Sequence, residues 1–253
     1  MSVEVNQLIS YLDELLDSNN IKDFCPNGLQ VEGCSKIKKI VTGVTASEAL
    51  IDAAIENKAD AILVHHGYFW KGESDPITGM KKRRIAKLLK HDINLVAYHL
   101  PIDVHFEFGN NIQLAKKLNI TNVKPFPGIK PKGIVMQGEL LTGTTANKLA
   151  KLIKLNLLRE PLVNAVRDED IRTVAWCTGG GQSYIDVVAN AGIDAFITGE
   201  ASEQTIHSSR EQNIDFFAAG HHATERYGVQ SLGEHLEEHF NLDVSFIDIH
   251  NPV

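Results

Sequence analysis

With 253 residues, 43% of them apolar, the chain is long enough for one large α/β domain or two small ones, each with its own core. A formal charge of −7 disfavours general attraction to nucleic acid, and no apolar run reaches the roughly 18 to 20 residues of a membrane-spanning helix. Cys25, Cys34 and Cys177 are odd in number and lack CxxC spacing, which argues against a disulfide framework and against a thiolate zinc site.

Residues 1–16 interleave Glu4, Asp13 and Glu14 with apolar side chains, a pattern unlike a signal peptide, so a soluble cytoplasmic protein is expected. In the same segment Val5, Leu8, Ile9, Leu12, Leu15 and Leu16 recur at helical spacing and predict an opening amphipathic helix that ends near Asn19 and Asn20. A loop through Cys25, Pro26, Asn27 and Gly28 follows. Short β-rich runs at 39–44, 61–64 and 95–98 then alternate with helical patterns at 47–57 and 83–91, which predicts a mainly parallel sheet. After a less regular middle stretch, strands are expected at 173–177, 195–198 and 216–219, with helices at 183–191 and 203–212.

The order of elements repeats. Ile51-Asp52 matches Ile185-Asp186 and Asp60-Ala61 matches Asp194-Ala195 at one constant offset, which sets His65 and His66 against Gly199 and Glu200. At a slightly shorter offset, His99 through Asp103 lies over His221 through Glu225, histidine on histidine and carboxylate on carboxylate. The reading is an internal duplication into two α/β halves, 1–125 and 126–253.

Three pieces of this pattern carry ligand chemistry. His65-His66-Gly67 leaves a predicted strand at its carboxyl end, where open α/β sheets place ligand sites. Side chains alternate along a strand, so neighbouring histidines diverge unless the backbone turns, and divergence suits two ions better than one. His99 and Asp103 flank Pro101 after a second strand, and His221 and Glu225 have the i,i+4 spacing of one helix face. Together His65, His66, His99, Asp103, His221 and Glu225 offer six nitrogen or oxygen donors, more than one catalytic ion uses. Asp103 and Glu225 are the natural bridging carboxylates of a paired site. His99 is a candidate catalytic residue, a further ligand, or a residue that orients Asp103. Imidazole with carboxylate suits two divalent ions of zinc, iron, manganese or nickel. The remaining histidines are read as ordinary solvated or hydrogen-bonded side chains.

Weaker signals have two readings each. Thr178-Gly179-Gly180-Gly181-Gln182 joins a strand to a helix, and its backbone N–H groups either cradle a phosphate or simply serve a tight turn. The run Lys81-Lys82-Arg83-Arg84 is an anion site or a solvated charge run. Trp70 either walls a pocket or packs on the core.

The motifs Asn27-Gly28-Leu29-Gln30-Val31, Val64-His65-His66-Gly67, His99-Leu100-Pro101-Ile102-Asp103, Thr198-Gly199-Glu200 and Gly220-His221-His222-Ala223-Thr224-Glu225 resemble those of the dinuclear metal centre family. These are the NIF-three-like proteins, often called GTP cyclohydrolase 1 type 2 homologues. The likeness spans nearly the whole chain and is to the short bacterial form. It implies two similar three-layer α/β domains with the metals between them, metal ligands at His65, His66, Asp103, His221 and Glu225, and a toroidal homohexamer. The activity it implies is metal-dependent hydrolysis of a small nucleotide-like substrate, with ring opening of GTP as the sharpest form. The alternative is a non-catalytic metal-binding or partner-binding hexameric ring.

Overall fold

β-branched and aromatic residues dominate the short apolar runs, and in the computed structural model, which describes residues 1–253, these runs form strands. The chain begins β1 (Val3–Glu4), α1 (Val5–Leu15), β2 (Gly28–Val31), β3 (Lys36–Ile37), β4 (Lys39–Thr45), α2 (Glu48–Glu56), β5 (Ala61–His66), α3 (Gly79–Lys90), β6 (Asn94–Ala97) and α4 (Leu100–Val104). It continues through α5 (Asn110–Lys117), β7 (Ile120–Pro125), β8 (Met136–Thr144), α6 (Ala146–Leu157), β9 (Leu162–Asn164), β10 (Ile171–Cys177), α7 (Ile185–Asn190), β11 (Ala195–Thr198), α8 (Glu203–Glu211), β12 (Asp215–Ala218), α9 (His221–Phe240) and β13 (Asp243–Phe246).

Two α/β units result. The first comprises Met1–Ile102 with Gly228–His250, and the second Asp103–Tyr227 with Asn251–Val253. These bounds differ from the consecutive halves 1–125 and 126–253. The reason is strand pairing: β13 joins β4 in parallel, Asp243 opposite Lys39 and Phe246 opposite Thr42, so the end of the chain completes the first sheet.

In the first unit the sheet order is β13-β4-β5-β6-β2, parallel except for β2. Alternation along the strands sends Val41, Ile62, Val64, Leu95 and Ala97 to one face, where they meet Leu50, Ile51 and Ala54 of α2 and Ile85 and Leu88 of α3. Thr42 points the other way, toward α9, where a Cβ on Gly233 would come within 2.9 Å of its methyl group. α1 lies beside α9, with Tyr11 stacked on His239. The layers are therefore helix, sheet, helix.

In the second unit the order is β7-β8-β10-β11-β12-β9, with β10, β11 and β12 parallel. Val174, Trp176, Ile197 and Phe217 pack with Leu114 of α5 and with Leu149, Ile153 and Leu157 of α6. Phe196 and Phe216 alternate to the opposite face, and α8 lies against β12 and β9.

The duplication is written into the hydrogen bonds. β2 lies antiparallel beside β6 in one sheet, as β9 lies beside β12 in the other. Ala61 is registered with Ile40 and Asn94, and Ala195 with Val174 and Asp215. Asp60 Oδ2 accepts from the backbone N–H groups of Lys38 and Lys39 at 2.7 and 2.9 Å. Asp194 Oδ2 does the same for Arg172 and Thr173 at 3.0 and 2.8 Å. All three cysteines are free, and no helix is long and apolar enough to cross a membrane.

Candidate metal centre

In the first unit β5 delivers His65 and His66 at its end, and the step after β6 delivers His99. One ligating atom from each of the three lies within 4.8 Å of the others. The adjacent rings of His65 and His66 do not diverge, their centroids being 4.5 Å apart. Gly67 is required by close approach, since a Cβ there would lie 2.6 Å from that of Ala97 and would overlap the Gln30 carboxamide.

Each imidazole is oriented through Nδ1. His65, fully buried, donates Nδ1–H to the Tyr98 carbonyl at 3.2 Å. His66 Nδ1 pairs with Thr45 Oγ1 at 3.2 Å across the β4–β5 register. His99 donates Nδ1–H to Asp23 Oδ1 at 2.7 Å. Where the partner can only accept, as for His65 and His99, Nδ1 carries the proton and Nε2 is the atom a metal would take.

Asp23 is anchored well enough to do this. Its carboxylate also accepts from the backbone N–H of Phe24 and Leu100 and from the Asn27 side chain, while Asn27 Oδ1 accepts the His99 N–H at 2.8 Å. Burial pushes the Asp23 pKa up, but the hydrogen bond and charge of His99, with Asn27 and the Phe24 amide, outweigh it and leave a net lowering.

In the second unit Asp103 is buried, and its Oδ1 accepts from Asn110 Nδ2 at 2.9 Å and from Thr178 Oγ1 at 3.3 Å. α9 opens at His221, just after Gly220 turns at φ +103°. His221 donates Nδ1–H to Glu200 Oε1 at 2.7 Å, and its Nε2 faces Glu225 Oε2 at 3.2 Å one turn along. Burial works against charge on His221, yet Glu225 and Glu200 together raise its pKa to about 9. Glu225 itself is buried. Cys177 keeps its proton, pushed well above the usual range by burial and then by Asp103 and Glu225.

Three N–H groups of the glycine loop are committed within the unit: Thr178 to Asn111 Oδ1, Gly179 to Thr224 Oγ1, and Gly181 to Thr198 Oγ1. Gly179 lies at φ +65°, and a Cβ there would overlap Glu225 Oε1 and stand 3.1 Å from His221 Nε2. The loop keeps space open at the two candidate ligands. Two members of the basic run pair with carboxylates, Lys81 with Glu73 and Arg83 with Glu48. Trp70 stands edge-on to His99 with ring centroids 4.8 Å apart.

These nitrogen and oxygen donors, with no thiolate among them, fit divalent ions of the zinc, iron, manganese or nickel type. A model of the family described as Duf34/NIF3 (NGG1p interacting factor 3) matches residues 3–252. The chain belongs to the Duf34/NIF3 family. A Vibrio cholerae relative named "GTP cyclohydrolase 1 type 2 homolog" is 57% identical over 98% of both chains. A Pseudomonas aeruginosa relative of the same name is 52% identical over the full length of both. Among solved structures, a structural-genomics protein called ybgI, described as of unknown function, superposes with a TM-score of 0.95 at 54% identity, over 99% of this chain and 100% of that one.

Within this family member, the residues that sequence reading passed over are the orienting ones. Asp23, Thr45 and the Tyr98 carbonyl act on imidazoles distant in sequence. Glu200 stood in a recognised motif but had no assigned partner. The pairing of His99 with Asp23 is a contact that only folding reveals.

Proposed function

We propose that this protein holds two divalent metal ions through His65, His66, Asp103, His221 and Glu225, and is a metal-dependent hydrolase of nucleotide-like small molecules. The observation that carries the reading is the shared anchoring of four imidazoles, His65, His66, His99 and His221, each paired with an oxygen at Nδ1, an arrangement that orients Nε2 as the atom a metal would take. Divalent ions bound there would supply Lewis acidity, activating water and polarising the substrate group under attack. The chain's own contribution is positioning. Asn110 and Thr178 fix the Asp103 carboxylate, Glu200 fixes His221, and the bare Cα of Gly179 leaves Glu225 unobstructed. His99, held by Asp23, is the candidate catalytic residue of this reading or a further ligand. The remaining parts of the reading are a cytoplasmic homohexameric ring and no role for nucleic acid.

The rival reading, a non-catalytic metal-binding or partner-binding ring, requires ligands closed to solvent. The partial exposure of His66 and His221 weighs against it. The deciding experiment is elemental analysis of protein purified without chelator under low oxygen, followed by turnover of GTP and a nucleotide panel. Two ions per chain, both lost in Glu225→Ala, with turnover abolished in Asp103→Asn, are expected. Zero or one ion that reconstitution cannot raise sinks the paired centre. Two ions with every substrate untouched leaves the non-catalytic ring.

A further inference from the structure

We infer that the second unit contains a subsite for a planar ring bearing an anionic tail, and that this subsite selects the substrate. The inference rests on the hydrolase reading above and names the part of the substrate that the metal ligands do not contact. A cavity of about 490 Å³ opens between the segment after α4, the start of α5, β7 and the loop leading into β8. That volume lies in the range of small-molecule sites. Its walls are Val104, Ile112, Val123, Pro125 and Met136, and one of its lining residues is Asp103, the candidate ligand.

Three observations point to the occupant. The walls are mostly apolar, with Asn111 and His105 among the polar exceptions, so the buried part of the ligand is apolar or flat. Phe106 lines the cavity, yet it is 79% exposed. It is held by stacking on His105, centroids 5.1 Å apart and planes 18° from parallel, and His105 stacks in turn on Phe108 at 5.1 Å and 9°. His105 Nδ1 accepts the backbone N–H groups of Glu107 and Phe108, which fixes the ring in this stack. An ordered aromatic face left open to water is a platform for a π-system.

The third observation is charge. Asp103 is the one acidic residue in the lining and Lys132 the one lysine, the latter exposed on the loop before β8. An anionic group is therefore matched at the Lys132 side, and the ring lies over Phe106 toward Asp103. A nucleoside monophosphate has both features.

The test is calorimetry on the full-length protein as purified, with GMP, guanosine and inorganic phosphate as probes, beside metal analysis and native mass. GMP should bind more tightly than guanosine, and phosphate alone should not bind measurably. Phe106→Ala should weaken GMP roughly tenfold or more, the loss expected for one stacked base, and Lys132→Ala should reduce GMP binding to the level of guanosine. Both changes are at exposed positions and should leave metal content and native mass unchanged. Met136→Trp, which fills the cavity, should abolish binding. Undiminished GMP binding in Phe106→Ala, or equal binding of GMP and guanosine to the unaltered protein, overturns the subsite. So does a change of native mass in Phe106→Ala without loss of GMP, which would make Phe106 a contact between copies. Because metal content is read in parallel, loss of the subsite with two ions retained leaves the hydrolase reading standing, whereas absence of metal removes that reading first.

Discussion

Asp23 clamps His99 and the residue after it: its Oδ1 accepts the His99 imidazole Nδ1–H at 2.7 Å, while its Oδ2 accepts the backbone N–H of Leu100 at 2.8 Å. Asp23→Asn keeps an oxygen for Leu100 but can present an N–H to the ring, reversing the tautomer so that Nε2 carries the proton. If His99 ligates metal, competition with a chelator should show affinity reduced roughly 10- to 100-fold. Retention of two tightly held ions with loss of turnover alone would instead make His99 a proton carrier.

Gly179→Ala should be disproportionately harmful. The left-handed backbone costs a non-glycine residue about 1 kcal/mol or more, and the added methyl overlaps Glu225 Oε1. We expect a modest loss of stability in urea but a loss of bound metal comparable with Glu225→Ala. Gly192→Ala, also at positive φ but with open space around its Cβ, is the control and should retain metal in full.

Removing metal should lower the thermal midpoint. A ligand present at 100-fold its dissociation constant stabilises the native state by about 2.7 kcal/mol, and for units of this size each kcal/mol moves the midpoint by roughly 2 to 4 °C or more. Scanning calorimetry with and without chelator tests this. Unchanged midpoints would mean that no ion binds tightly in the native state.

Asp194 supports the second sheet from a depressed pKa. Burial alone would raise it, but the Thr173 and Arg172 amides, the Thr173 hydroxyl and the Arg167 charge reverse the sign. A lowered folded-state pKa means that the stabilisation is complete above the unfolded carboxylate value and disappears as pH falls through the folded one. Asp194→Ala should therefore cost about 2 kcal/mol at neutral pH, for its lost hydrogen bonds and ion pair. The gap from the unaltered protein should narrow in acid. A gap constant from pH 7 to pH 3 would contradict this assignment.

Much of this fold was readable because the parallel strands are short apolar runs bounded by helical periodicity. Ala195–Thr198 matches its expected range, and α2 and α8 match theirs to within a residue at each end. The stretch 126–172 was not readable, because β8 mixes buried Met136 with exposed Leu141 and so shows no clean period. Candidate ligands stood out as paired motifs, His99 through Asp103 against His221 through Glu225. Their supports did not. Asp23 reaches His99 across 76 residues, and Thr45 reaches His66 through a strand register that no local spacing announces.

The parallel pairing of β13 with β4 also sets an order of events during synthesis. The ribosome releases β4, β5 and β6 early, but the strand that covers the β4 edge is made only after residues 103–227 of the second unit. The nascent first sheet must wait with one flank bare, a surface on which another chain could add a strand. Until β13 docks, the β4 edge is where a neighbouring nascent chain can pair in its place.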